Sequence, residues 1–345
     1  MRIDLAGATL DIWPLYLYHA GAQTLNVAVT LRARCWLQTR NDRRLTLRSL
    51  DTDQWIEADH RSTLPDSTPW RLLKRIIDFF DGEGLNIVTQ SDSPIGAGIA
   101  GSSALNVATC AALARWRGRD LSPEALLGIA MNVEAQVIDV PTGVQDYRPA
   151  YYGGISAVEM GVGGVTRVAL DVDPVSLSER LIVAHTGASR ESAINNWQIV
   201  KGRIDREPGI ATHFDQICRV AGTMRKALIA ADWPEVGRQL NHEWELRKRL
   251  TPRVTTPAID NLIERARRTG ALGSKVCGAG GGGCIASGGL PAFGIQRRGT
   301  RVLELHAFGQ FFLLLATLLF HRFDFFGTGD FHVRQGAHDF LLDVV

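Results

Sequence analysis

The 345-residue sequence is poor in lysine, with five against thirty-three arginines, a skew we ascribe to codon usage. It is poor in cysteine too. Cys35, Cys110, Cys218, Cys277 and Cys284 are too few and too scattered for a disulfide framework, and no two form a CxxC pair. Neither sign of charge is in surplus. A formal net charge of +2 gives no case for nucleic acid or for a membrane surface. The apolar run over 308–320 has only 13 residues, too short to span a bilayer. Asp4 and Asp11 interrupt the apolar N-terminus and make it a poor signal peptide. No internal repeat is evident. What remains is a composition of 45% hydrophobic and 21% charged residues, which fits one large globular domain or two ordinary ones. The expectation is a cytoplasmic protein with buried free thiols, monomeric or homodimeric, with no nucleic-acid or membrane partner.

Residues 2–7 read as a short strand ending at a glycine, and 24–40, β-branched and largely alternating, as one strand. Residues 70–80 carry apolar positions at helical spacing, stopped by Gly82 and Gly84. A strand over 84–91 leads into a glycine-rich loop, followed by a helix over 102–118 that Gly118 closes. Ser122 and Pro123 mark the start of a helix running to about Ile138. After turn-rich residues from 139 a strand follows towards 160, another covers 180–187, and helices cover 190–206, 212–231, 233–250 and 257–270. Residues 274–287 read as strand, glycine run, strand. Strands and helices mix without βαβ alternation, so the fold class expected is α+β. Ten of the thirteen phenylalanines lie after residue 290, whereas no tryptophan or lysine does. So abrupt a change fits either a disturbed reading frame or a divergent tail over 289–345.

The most informative stretch is SPIGAGIAGSSALNVATC, from Ser93 to Cys110. Glycines ahead of a helix allow positive φ and close approach of backbone N–H groups. The helix start adds unpaired N–H groups and the positive end of the dipole. On its residues alone the stretch is either a capped helix start or an anion site, with Ser102 and Ser103 able to bond phosphate or ligate Mg²⁺. A Walker loop would need lysine where Gly101 stands. Gly96, Gly98 and Gly101 satisfy GxGxxG, but the strand before them lies far into the chain and no suitable acid follows.

PIGAGIAGSSA, Pro94 to Ala104, resembles the second motif of the GHMP kinases, close to P-x-x-x-G-L-G-S-S-A, with Ile99, Ala100 and Gly101 in its variable middle. RIDLAGATLDIWP (2–14) resembles their first motif and KVCGAGGGGCIA (275–286) their third. Three motifs in register cover about residues 2–288. The resemblance implies the two-domain GHMP kinase fold, a ribosomal-protein-S5-like domain over 1–175 and a ferredoxin-like α/β sandwich over 176–288. It also implies ATP and Mg²⁺ as cofactors. The cofactor would then be held by Pro94, Gly96, Ala97, Gly98, Ile99, Ala100, Gly101, Ser102, Ser103 and Ala104, with Gly278, Gly280 and Gly281.

By the same resemblance Glu134 is the metal carboxylate, with Ser103 or Ser102 on the same ion. Asp146, in GVQDYRPAYYGG, becomes general base or the anion that orients the acceptor hydroxyl. Arg2 would stabilise the acceptor alkoxide and the moving phosphoryl group. Asp11 and Gly143 fall on the sugar side, a carboxylate being able to accept two hydroxyls. Mevalonate kinases use a lysine in the first motif, and none precedes Lys74 here, which favours sugar kinases.

DLAGATLDIWPLYLYHAGAQTLNVAV, HTGASRES and residues 242–283 resemble the heptose 7-phosphate kinase and L-fucokinase branch, which phosphorylates an anomeric hydroxyl. A phosphorylated substrate would need cations at its far end, for which Arg190, Arg247, Lys248 and Arg249 are candidates. A neutral sugar would not. The alternative from another class is a non-catalytic GHMP-fold regulator, against which the presence of Glu134, Asp146 and both serines counts.

Overall fold

A computed structural model describes residues 1–188, 192–289, 332–336 and 339–343, without the side chains of 192–195 and of the last two segments. The chain opens with β1 (Arg2–Ala6) and β2 (Gln23–Ala28), paired antiparallel with Ile3 opposite Val27. It continues through β3 (Ala33–Thr39), β4 (Leu45–Ser49), β5 (Gln54–Ala58), α1 (Arg71–Phe79) and β6 (Leu85–Ser91). Next come α2 (Gly101–Trp116), α3 (Pro123–Ile138), α4 (Arg148–Tyr152), β7 (Ile155–Gly161), β8 (Gly164–Ala169), α5 (Pro174–Ser178) and β9 (Leu181–His185). The helices α6 (Ser192–Ile204), α7 (Ile210–Ile229), α8 (Trp233–Leu250) and α9 (Pro257–Arg268) follow, then β10 (Gly273–Val276), β11 (Cys284–Gly288), β12 (His332–Gly336) and β13 (Asp339–Asp343).

Three sheets result, in the orders β1-β2-β7-β8, β10-β11-β9 and β12-β13-β3-β6-β4-β5. Every described pairing is antiparallel except β4 with β6. The architecture is α+β, as expected. One expectation fails: 24–40 is two strands, not one. The chain leaves the first sheet after Ala28 and enters the six-stranded sheet at Ala33. It does so with no glycine or proline, so the alternation runs unbroken across the change of sheet. The β4–β5 hairpin and the five-residue α4 are also additions to the sequence reading. Arg190 and the apolar segment 308–320 lie outside the described residues.

The largest core packs α1, α2 and α3 on the six-stranded sheet through Leu37, Leu47, Ile77, Ile87, Val107 and Leu113. α2 buries eleven of its sixteen residues, mostly small ones, which lets strand and helix approach it closely. A second core joins the two halves of the chain: Ile3, Leu5 and Leu25 meet Met224 and Leu240. A third gathers Ile12, Leu15 and Val144 against Ile199 and Val200 of α6 and Phe214 of α7. These cores fix one end of α2 against both halves. All five cysteines are buried, and none is in a disulfide.

Candidate active site

α2 begins directly from the glycine-rich loop. Gly96 and Gly98 take φ of 72° and 78°, and Ala100 takes 61° as the residue before the helix. The left-handed region costs a non-glycine residue on the order of 1–2 kcal/mol, strain of a kind that collects at functional sites. Gly101 has no room for a side chain, since a Cβ there would stand 2.9 Å from Ser93 Cβ.

Glu134, buried on α3, accepts a 2.8 Å hydrogen bond from Ser102 Oγ at Oε1. Its Oε2 is buried without a hydrogen-bond partner. Burial pushes the Glu134 carboxyl up, against the pull of the Tyr147, Ser102 and Ser103 hydroxyls. An oxygen without a partner on a desolvated carboxyl favours a cation beside it. The serine bonded to Glu134 is Ser102, while Ser103 lies buried one residue further on.

Arg2, 1% exposed, joins the loop to the next carboxylate. Its Nη1 donates to Gly98 O at 2.9 Å, and its Nε and Nη2 donate to Asp146 Oδ1 at 3.0 and 2.6 Å. Burial works against its charge, but Asp146 and then Asp4 more than offset it, so the guanidinium titrates above its ordinary range. Asp146 Oδ2 has no hydrogen-bond partner among the described residues, and the side chain is 24% exposed.

Asp11 is buried beside them. Gln145 N donates to its Oδ2 at 3.1 Å and Gln145 Nε2 to its Oδ1 at 3.2 Å. Ile12 and Gly143 form an isolated β-bridge, and a Cβ at Gly143 would stand 2.0 Å from Asp11 Oδ2. Gly143 therefore has a steric reason to be glycine. Burial, then the charge of Asp146, pushes the Asp11 carboxyl from 3.8 up to about 7. The folded chain holds this proton more tightly than the unfolded chain. The Asp11 contribution to stability is thus full below about pH 4 and is lost as pH rises towards 7. The melting temperature of the ligand-free protein is expected to fall across that window, and Asp11→Asn to flatten the fall. Equal slopes in the two proteins would exclude Asp11 as its source.

The second glycine segment closes on the first. Cys284 N donates to Ala97 O at 2.7 Å, and a Cβ at Gly283 would stand 2.6 Å from the same oxygen. Two of the three glycines expected to hold cofactor use their N–H groups inside the protein. Gly278 N donates to Asp4 Oδ1 at 2.8 Å and Gly281 N to Val254 O at 2.7 Å. Gly280, at φ 86°, faces Val254 so closely that a Cβ would stand 2.3 Å from its Cγ2.

Sequence reasoning missed a buried charge cluster behind this contact. Lys275 Nζ donates to Asp4 Oδ2 at 2.7 Å and to Glu243 Oε1 at 2.9 Å, with all three side chains fully buried. Burial raises the Asp4 carboxyl, but Lys275, Arg2 and Arg247 together bring it down to about 2. Asp4 also lies 3.5 Å from Arg2 Nη1, so one carboxylate touches both glycine segments' supports. A charge alternating with Ile3 and Leu5 in a fully buried strand was the available signal. Arg247, expected as a cation for substrate, is instead 2% exposed and donates to Val276 O. Lys248 pairs with Glu245 on the same helix.

The family models for the GHMP kinases N terminal domain and GHMP kinases C terminal match residues 67–154 and 224–287. The chain is 28% identical over 297 residues to a D-glycero-alpha-D-manno-heptose 7-phosphate kinase of Campylobacter jejuni, covering 82% of this chain and 86% of that protein. It is 27% identical over 305 residues to the bifunctional fucokinase/GDP-fucose pyrophosphorylase of Arabidopsis thaliana, covering 82% of this chain and 28% of that protein. The fold is also that of a D-glycero-D-manno-heptose 1-phosphate kinase from Bacteroides thetaiotaomicron, with a TM-score of 0.65 at 22% identity, covering 84% of this chain and 86% of that one.

Proposed function

Because the chain belongs to the GHMP kinase family and is a phosphotransferase with an alcohol acceptor, we propose that it transfers the γ-phosphoryl group of ATP to the anomeric hydroxyl of a sugar or sugar phosphate. Similarity over most of both chains to a heptose 7-phosphate kinase supports a heptose-like acceptor. The observation that carries the reading is Arg2, which bonds the glycine-rich loop and Asp146 at once and so ties a free carboxylate oxygen to the phosphate side.

In this reading the loop 94–104 and the N-terminus of α2 bind the ATP phosphates, and residues 1–175 and 176–288 form the two domains. A Mg²⁺ ion fits Glu134, whose Oε2 is buried and unpartnered, with Ser102 or Ser103 as a second ligand. When bound, that ion would neutralise phosphate charge. Asp146 Oδ2 takes the proton of the acceptor hydroxyl, while Oδ1 stays fixed by Arg2. Arg2, itself held charged, stabilises the alkoxide that results. An anomeric hydroxyl is more acidic than an ordinary alcohol, which suits a carboxylate base. Asp11 and Gln145 line the acceptor side, Asp11 able to accept sugar hydroxyls.

The test is ADP release from ATP over a panel of sugars and sugar phosphates, with phosphorus NMR of the product. Expected is release with a heptose 7-phosphate, giving a phosphate ester at the anomeric carbon. Similarity to a fucokinase-containing protein favours, as a second reading, a neutral sugar as acceptor. Sugar binding without ADP release would overturn the kinase reading and leave a ligand-binding regulator.

A further inference from the structure

We infer that Tyr147 is a positioning residue for the phosphoryl transfer: its hydroxyl closes the loop 142–147 on Thr142 and so sets where the Asp146 carboxylate stands. Tyr147 Oη and Thr142 Oγ1, at the two ends of the loop, are 2.7 Å apart. Thr142 Oγ1 has one proton and donates it to Gly143 O at 3.1 Å. The bond between the two hydroxyls therefore runs from Tyr147 to Thr142. Its proton is then not given to Glu134, which the same hydroxyl faces and whose Oε2 has no partner. The tyrosine end is fixed. Its ring is 1% exposed, belongs to the largest core and directly precedes α4, which packs on α2. Phenylalanine would fill the same apolar space, and a buried hydroxyl costs stability unless it is bonded. What the hydroxyl adds is the bond to the loop.

Between its ends the loop carries much of the acceptor side. Gly143 bridges Ile12, Val144 N donates to Asp11 O at 3.1 Å, and Gln145 N donates to Asp11 Oδ2 at 3.1 Å. Asp146 follows, directly before Tyr147, and among the described residues its side chain is tied at Oδ1 alone, by Arg2. A carboxylate held at one oxygen can swing about it, so the direction of Oδ2 depends on the backbone that carries it. Arg148 Nη1 donates to Val144 O at 2.8 Å and steadies the middle of the loop. The Tyr147 bond acts on the end that Arg148 leaves, at Thr142 and Gly143. Two hydroxyls in series thus run from the core to the Gly143 carbonyl, on the residue packed against Asp11.

This role rests on the kinase reading, and the test separates the two. Amide hydrogen exchange over 142–147, ADP release with a heptose 7-phosphate and calorimetric binding of a non-hydrolysable ATP analogue are measured for the full chain, Tyr147→Phe, Thr142→Val and the double variant. Tyr147→Phe is expected to exchange faster at Val144 and Gln145 and to keep its affinity for the ATP analogue. Its kcat should fall roughly 10- to 100-fold, the cost of a small misplacement of a reacting group. Thr142→Val should do the same, and the double variant no more than the deeper single one, since both break the same bond. A lower melting temperature with kcat within a few fold of the unmodified protein would make Tyr147 a core residue only and overturn the role. Slower turnover with unchanged exchange, or losses that add in the double variant, would overturn it too, since the hydroxyl would then act by another path. If Tyr147→Phe does not fold, Thr142→Val, at the half-buried end, gives the same readings. Faster exchange in the variants of a protein that releases no ADP upholds the closed loop and sinks the kinase. ADP release with exchange and kcat unchanged does the reverse.

Discussion

Asp146→Asn is expected to lower kcat by about 10³-fold, the middle of the range for removal of a general base. The substitution is nearly isosteric. Asparagine Oδ1 can still accept from Arg2 Nε and Nη2, which now lie 3.0 and 2.6 Å from the carboxylate oxygen. Position is therefore retained while the proton acceptor at Oδ2 is lost. The KM for ATP should change little, because Arg2 keeps its bond to Gly98 O and the loop is untouched. The charge on Arg2, no longer balanced by Asp146, should if anything tighten phosphate binding. Steady-state kinetics with both substrates varied decides it. Turnover within a few fold of the unmodified enzyme would show that Asp146 serves only to orient the acceptor, and that the proton leaves by another route.

The pairing of Asp146 with Arg2 spans 144 residues, and the sequence pointed to both only through the resemblance of the motifs in which they stand to those of the GHMP kinases. The glycines mark positive φ at Gly96 and Gly98, and Ser122 with Pro123 marks the start of α3 that carries Glu134. Such signals lie within a few residues of what they specify. Asp4 and Lys275 have no such signal, since they meet across 271 residues in different sheets. An RKR run on α8 reads as a surface cation patch from composition, but Arg247 turns inward to Val276 O. Only the packing of α8 on β10 decides that. Likewise nothing within GVQDY marks Gln145, and only the approach of the Asp11 loop gives its side chain a partner. The split of 24–40 was invisible for the opposite reason: both sheets ask for the same alternation.

The same long-range cluster carries the largest stability effect. Lys275→Met should cost about 3–5 kcal/mol, the range for removing one partner from a buried ion pair. The loss is of compensation more than of attraction. Asp4 and Glu243 would remain, fully buried, with the charge between them gone. Glu243 Oε2 already lacks a partner, and burial already pushes its carboxyl up against the pull of Lys275. Without the lysine, Glu243 would favour its protonated form further, and a raised acid gives up stability as pH rises through its folded value. On the acid side the change runs the other way. The depressed Asp4, near 2, contributes stability that is present above about pH 4 and lost as pH falls towards 2. Lys275 is its strongest opposing charge, so the variant should lose less on acidification than the unmodified protein. Urea titrations from acid to neutral pH would thus show a lower curve that is flatter at its acid end and steeper above. Lys275→Met combined with Glu243→Gln should recover part of the loss, since one buried carboxyl is then neutral in both states. A deficit below about 1 kcal/mol in the single variant would mean that water or a rearranged Arg247 replaces the lysine, and that the cluster does not hold the two glycine segments together.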